Sequence, residues 1–73
     1  MSRIFTFNTT HHALWAEDVA RENGVPADVL PAPPAANARC NLALETLPAL
    51  VERLAELLDG EGVPFALYES SSA

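Results

Sequence analysis

The first third of the chain shows a strand-like spacing of apolar residues followed by a helix-like spacing. Residues 3–9 alternate aromatic with other side chains, so that Phe5 and Phe7 share one face and Ile4 and Thr6 the other, which predicts a first strand. Residues 10–23 then carry apolar side chains at helical spacing, which predicts a helix. The hydroxyl of Thr9 or Thr10 can cap its first turn by accepting a free backbone N–H. Gly24 follows as the left-handed residue that commonly ends a helix.

The remaining apolar segments predict three further strands and a second helix. Residues 28–31 and 42–45 are expected to form strands two and three, and residues 63–68 strand four. The second helix lies between the last two strands and has the clearest apolar stripe in the sequence. That stripe consists of Leu47, Leu50, Val51, Leu54, Leu57 and Leu58.

Polar and small residues predict where the second helix begins and ends. Thr46 is positioned to cap its N-terminus, and Pro48 lies in the first turn, where a missing N–H costs little. Gly60 and Gly62 are expected to stop it.

The predicted order is β-α-β-β-α-β, which is typical of a ferredoxin-like α+β fold with sheet order 4-1-3-2. Pro31 and Pro64 then fall on the edge strands, where proline is tolerated. The residues expected to face the two helices are Phe5, Phe7, Val29, Leu42, Leu44, Phe65 and Leu67. The opposite face should carry Ile4, Thr6, Ala43, Glu45, Ala66 and Tyr68. This second face is half apolar, so we expect a second copy of the chain to cover it in a homodimer.

The size and charge of the chain limit its domain count and the partners it can bind. The 73 residues are expected to form a single domain over residues 1–73. The net charge is −6, and all four basic residues are arginines. This composition lacks the basic surface that nucleic acids or anionic membranes require, so neither is expected as a partner. The apolar runs are too short to span a bilayer, and the N-terminus does not have the pattern of a signal peptide.

Cys40 is the only cysteine, so no internal disulfide is possible and a cytoplasmic location is expected. In the predicted topology, the start of the first helix and the loop before strand three lie at the same edge of the sheet. Cys40 should therefore lie near Thr10, His11 and His12, with Arg39 beside it. Helix N-termini and cations favour the reactive thiolate form. The proline-rich residues 31–38 could present this thiol to a partner enzyme.

Less specific interpretations of the same residues stay open. Cys40 can be a small buried core residue, since free cysteine is often buried. The side chains of His11 and His12 point about 100° apart on a helix, so the two are not expected to contact the same ligand. A metal site would have only these three candidate ligands and lacks paired-cysteine spacing, so no metal and no other cofactor is expected.

Several segments together resemble a family of small selenium/sulfur carrier-like proteins. They are residues 6–14, Thr-Phe-Asn-Thr-Thr-His-His-Ala-Leu, the Ala16-Glu17 pair, the Pro-Ala-Pro segment, and Cys40 before Leu42-Ala43-Leu44. The resemblance implies that Cys40 carries the chalcogen, and it places the family's histidine pair at His11 and His12. The chain departs from the family pattern at Pro34, where an arginine is usual, and at Asn41, where a glycine is usual. Asparagine tolerates left-handed backbone, which would preserve the turn.

Two functions follow as hypotheses. In the first, Cys40 holds sulfur or selenium as a persulfide or selenopersulfide between a donor and an acceptor enzyme. The chain is then a carrier rather than a turnover enzyme, with Thr10, His11, His12, Arg39 and Asn41 around the bound chalcogen. In the second, the chain is a non-catalytic module that binds a ligand or a protein, and Cys40 is structural.

Overall fold

The computed structural model describes residues 2–34 and 39–70. Its elements follow the predicted order β-α-β-β-α-β. They are β1 (Ser2–Thr6), α1 (Thr10–Glu22), β2 (Ala27–Pro31), β3 (Leu42–Thr46), α2 (Val51–Glu61) and β4 (Ala66–Ser70). A short 3₁₀ turn, Pro48–Leu50, leads into α2.

The strands form one antiparallel sheet in the order β2-β3-β1-β4. This is the predicted order 4-1-3-2 read from the other edge, so the α+β class and the sheet topology are confirmed. Pro31 ends the edge strand β2, as expected for a residue that cannot donate to a neighbouring strand. The prediction for Pro64 is wrong, because β4 begins at Ala66 and Pro64 precedes it. Val63 also lies outside the strand, since its N–H donates to the carbonyl of Leu58 and closes the end of α2.

Both helices pack on the face of the sheet that carries Phe5 and Leu44. Their buried side chains join those of the sheet in a single apolar cluster. Its largest fully buried members are Phe5, Leu44, Leu54, Leu58 and Val51. The Phe5 and Phe65 rings meet edge to face, with centroids 5.2 Å apart. Leu67 lies opposite Phe5 in the strand register, and so on the helix-facing side as predicted, but on the edge strand β4 it is 43% exposed.

The first helix begins at the predicted cap. Thr9 has extended backbone with φ −139°, and its hydroxyl oxygen accepts a hydrogen bond from the His12 N–H at 3.1 Å. β1 ends at Thr6, whereas the prediction extended it to Thr9, which instead caps the helix. At the other end Gly24 has φ +71°, the left-handed conformation expected of it.

The start of the second helix differs from the prediction. Thr46 is the last residue of β3, and its hydroxyl donates to the carbonyl oxygen of Pro26 instead of capping a helix. The 3₁₀ turn at Pro48 starts the helical segment without a side-chain cap. Leu47 therefore lies outside the helix and is 57% exposed, although the apolar stripe included it.

The end of the second helix is set by one glycine rather than two. Gly60 lies inside α2, so the prediction that it stops the helix is wrong. Gly62 ends the helix, as predicted, with φ +80°.

The opposite face of the sheet is less exposed than its sequence suggested. Ile4, Thr6 and Ala43 lie on that face, yet each is buried within the chain. Ile4 lies between Glu45 and Tyr68 in the strand register. The exposed apolar surface that motivated the homodimer prediction is therefore smaller than assumed.

Candidate functional site

Backbone hydrogen bonds attach Cys40 to the sheet just before β3. The Cys40 N–H donates to the carbonyl oxygen of Phe7 at 3.2 Å, which ties the segment before β3 to the residue that follows β1. The next residue, Asn41, accepts from the Ala32 N–H at 2.7 Å, which continues the pairing of β3 with β2. The cysteine backbone is thus anchored at the edge of the sheet where β1 ends and β3 begins.

Among the residues that the structure describes, two have polar atoms in contact with the sulfur of Cys40. The backbone N–H of Leu42 donates to Sγ at 3.2 Å, and the Thr10 hydroxyl lies 3.6 Å from Sγ. The Leu42 contact spans two residues, like the turns in which a side chain accepts from the N–H two residues on. Because Thr10 is the first residue of α1, the sulfur lies at the N-terminus of that helix, as the topology predicted.

Cys40 points to the helix-facing side of the sheet, the side predicted from its alternation with Leu42 and Leu44. The residue is only 4% exposed and belongs to the apolar cluster. The sulfur is therefore at the predicted end of the fold but has little contact with water in this conformation. Residues 35–38 of the proline-rich segment that was expected to present the thiol lie outside the described residues.

The two histidines have different surroundings. His11 is exposed, and His12 is half-buried with its ring centroid 6.5 Å from that of Trp15. The two imidazole centroids are 6.3 Å apart. His12 Nδ1 is buried and has no hydrogen-bond partner among the described residues.

The remaining predicted site residues, Arg39 and Asn41, are both exposed beside Cys40. The described polar contacts of Sγ come from Thr10 and Leu42, and neither the histidines nor Arg39 contributes one. The structure thus brings Thr10 to the sulfur and leaves the other predicted residues around it without a direct polar contact.

Sequence reasoning missed the backbone N–H of Leu42, which makes the shorter of the two described polar contacts of the sulfur. Side-chain chemistry gives no signal for a backbone donor. The position of Cys40 two residues before the apolar strand at Leu42 could have suggested such a turn. With this N–H and the hydroxyl of Thr10, the site can hold a sulfur that carries negative charge.

Within residues 2–34 and 39–70, no group of three or more His, Cys, Asp or Glu side chains is placed to hold a metal ion. In the same ranges, neither helix combines the length and the apolar character that crossing a bilayer requires.

The family described as "Putative Se/S carrier protein-like" matches residues 2–69 of the 73-residue chain. No curated protein and no solved structure matches the chain. Because the match covers almost the whole chain, this protein belongs to that Se/S carrier-like family.

Proposed function

We propose that this protein carries sulfur or selenium as a persulfide or selenopersulfide on Cys40. The supporting observation is the position of Sγ at the N-terminus of α1, where it accepts a hydrogen bond from the Leu42 N–H. Donors around a sulfur favour the charged forms that chalcogen transfer uses. Membership in the carrier-like family supports the same assignment.

Loading would transfer a sulfane chalcogen without a net change of oxidation state. The Cys40 thiol first loses its proton to solvent, and the thiolate attacks the terminal sulfur of a donor enzyme's cysteine persulfide. A bond forms between Cys40 Sγ and that sulfur, the donor's S–S bond breaks, and the donor cysteine leaves as a thiolate. With a selenopersulfide donor, the attacked atom is selenium and the product is a selenopersulfide on Cys40.

Unloading would reverse the direction of attack. A nucleophile of the acceptor attacks the terminal chalcogen, the bond between that atom and Sγ breaks, and the electron pair remains on Sγ. Cys40 is then a thiolate again and can be reloaded. The protein is a substrate of both partner enzymes in this scheme rather than a turnover enzyme, and we place the scheme in the cytoplasm, where free thiols persist.

Burial of Cys40 requires the segment around it to move before a partner can reach the sulfur. Residues 39–41 contain no helix or strand, and the movement must break the bond from the Cys40 N–H to the Phe7 carbonyl. Once Sγ turns outward, the exposed Arg39 would lie next to a terminal persulfide anion. We propose that Asn41, His11 and His12 complete the surface around the loaded chalcogen.

Mass spectrometry of the intact chain after incubation with a persulfide donor tests this proposal. The unmodified protein should gain the mass of one sulfur atom and lose it on treatment with a reductant. Cys40→Ala is the matched control, because the chain has no other cysteine. No added mass on the unmodified chain, or equal addition to Cys40→Ala, would remove the proposal.

The burial of Cys40 favours a second candidate function. At 4% exposure the residue can be a core side chain of a ferredoxin-like module that binds a ligand or protein without covalent chemistry. In this alternative, the sheet face around Tyr68 and Ala66 would form the homodimer contact. The thiol would then react only when the whole domain unfolds, which distinguishes the module from the carrier.

A further inference from the structure

The outward side of α1 carries two large apolar side chains. Leu14 is 47% exposed and Trp15 is 37% exposed. The side chains that α1 buries within its own chain are small and lie on the other side of the helix. They are Ala13, Ala16, Val19 and Ala20. The core therefore does not require Leu14 or Trp15, and a partner can cover both without disturbing the fold.

A polar side chain lies on either side of this apolar pair. His11 comes three residues before Leu14, and Asp18 comes three residues after Trp15. Residues three and four apart are neighbours on a helix, and these four side chains line one shallow groove of about 360 Å³. We call them the outer stripe. Its polar, apolar, apolar, polar order is the same from both ends, so its centre lies between Leu14 and Trp15.

We infer that two copies of this chain associate through their outer stripes, with the two α1 helices antiparallel. A twofold contact requires that when residue i meets residue j, residue j also meets residue i. The outer stripe satisfies this condition, because Leu14 of each copy meets Trp15 of the other and His11 meets Asp18. The inference does not depend on the chemistry of Cys40. It places self-association on α1 rather than on the opposite face of the sheet.

Hydrogen-bonding groups and charge favour this orientation over a parallel one. A neutral imidazole has one N–H donor, so His11 can donate to the carboxylate of Asp18 in the second copy. Arg21 contacts one oxygen of Asp18 at 3.2 Å, and the other oxygen can accept from a second donor. Antiparallel helices also bring Asp18 and Glu22 towards the N-terminus of the other α1, where free N–H groups favour negative charge. Parallel helices would instead place the two acidic ends side by side.

The small contact predicts a weak, reversible dimer. A single helix face buries less than the roughly 1,000 Å² typical of stable interfaces, so we expect a dissociation constant of about 0.1 mM. Each copy also has a net charge of −6, so the two copies repel each other. Added salt should strengthen the association, because it screens this repulsion and leaves the apolar contact in place. A dimer that added salt dissociates would contradict an apolar contact.

Sedimentation equilibrium at protein concentrations up to about 1 mM tests the surface. Trp15→Ser should raise the dissociation constant at least about tenfold, because both copies lose a central aromatic contact, and Leu14→Ser provides a second test if Trp15→Ser unfolds. Leu47→Ser is the matched control, because Leu47 is 57% exposed outside α1 and should leave association unchanged. A monomer at about 1 mM would overturn the inference. So would equal effects of Trp15→Ser and Leu47→Ser, or a dimer that only Tyr68→Glu disrupts.

Disulfide cross-linking in a Cys40→Ala background tests the orientation. Antiparallel helices place residue 11 of one copy beside residue 18 of the other, whereas the two residues 11 are about 10 Å apart along the helices. A disulfide cannot span that separation. Under mild oxidation, His11→Cys chains should therefore cross-link to Asp18→Cys chains faster than either links to itself. Faster self-linking of His11→Cys would indicate parallel helices, and equal rates for all pairs would indicate no defined contact; either result overturns the inference.

Discussion

The two candidate functions differ in whether the sulfur becomes accessible in the folded protein, and the contacts of Cys40 predict how often the chain opens to expose it. To expose Sγ, the chain must break the bond from the Cys40 N–H to the Phe7 carbonyl and separate Sγ from Leu42 and Thr10. It must also expose a side chain that is 4% exposed in the folded protein. A backbone hydrogen bond and the burial of a small side chain each stabilise the closed form by about 1 kcal/mol net.

With a smaller contribution from the two sulfur contacts, we expect the opening free energy to be about 2–3 kcal/mol. Native Cys40 should then react about 30 to 150 times more slowly with an aromatic disulfide reagent than a peptide of residues 39–44 does. The assay follows release of the coloured thiol with the reagent in excess. A local opening exposes little surface, so low concentrations of urea should change the rate only slightly.

Leu58→Ala separates local opening from global unfolding in this assay. Leu58 is fully buried in α2 and is not a hydrogen-bond partner of Cys40, so its truncation lowers global stability while removing none of the hydrogen bonds that hold the cysteine. Labelling should keep its rate in this variant. If native Cys40 reacts less than about threefold more slowly than the peptide, the argument from burial is refuted. A labelling rate that rises steeply with urea, and rises again in Leu58→Ala, would show that only global unfolding exposes the sulfur and would favour the module.

Three further predictions concern stability and association. Gly62→Ala should destabilise the protein by about 1 kcal/mol, because φ is +80° at that residue. Gly60→Ala should stabilise it by about 0.5–1 kcal/mol, because Gly60 lies inside the helix and an added Cβ would meet no atom within 4 Å. Urea unfolding measures both changes. By the same method, Leu58→Ala should lower the free energy of unfolding by about 2–5 kcal/mol and Leu47→Ala by less than about 0.5 kcal/mol. Equal losses in the two variants would contradict the assignment of Leu58 to the core and of Leu47 to the surface. Sedimentation should show a dimer that Tyr68→Glu dissociates if the opposite sheet face is the contact, and a monomer at all concentrations would reject that prediction.

Much of the fold was predictable because the pattern of apolar residues reflects simple geometry. Pro31 favoured an edge position for strand two, and Gly24 marked the end of α1. The errors occurred where tertiary contacts override local preference. Thr46 is a residue type that commonly caps a helix, but its hydroxyl donates to the carbonyl oxygen of Pro26 at the edge of the sheet. Gly60 resembles a helix stop, but the helix continues one residue past it before Gly62 ends it.

The candidate site was predictable to the level of topology. The crossover connection brings Thr10 and Cys40 together although they are 30 residues apart, and strand alternation points the cysteine to the helix side. The solvent access of the sulfur was not predictable, because it depends on how the neighbouring side chains close over it. The Leu42 backbone donor was also hidden, since any residue type at that position other than proline would supply the same N–H.

A complete loading and unloading cycle with isotopically labelled sulfur tests the carrier assignment most directly. The chain is loaded from a donor that carries the label, separated from that donor and mixed with an acceptor thiol, and its intact mass is followed over time. The account predicts one labelled sulfur per chain on Cys40, its transfer to the acceptor, and return of the chain to its starting mass. A chain that takes up no label, or a label that Cys40→Ala acquires equally, would contradict the account.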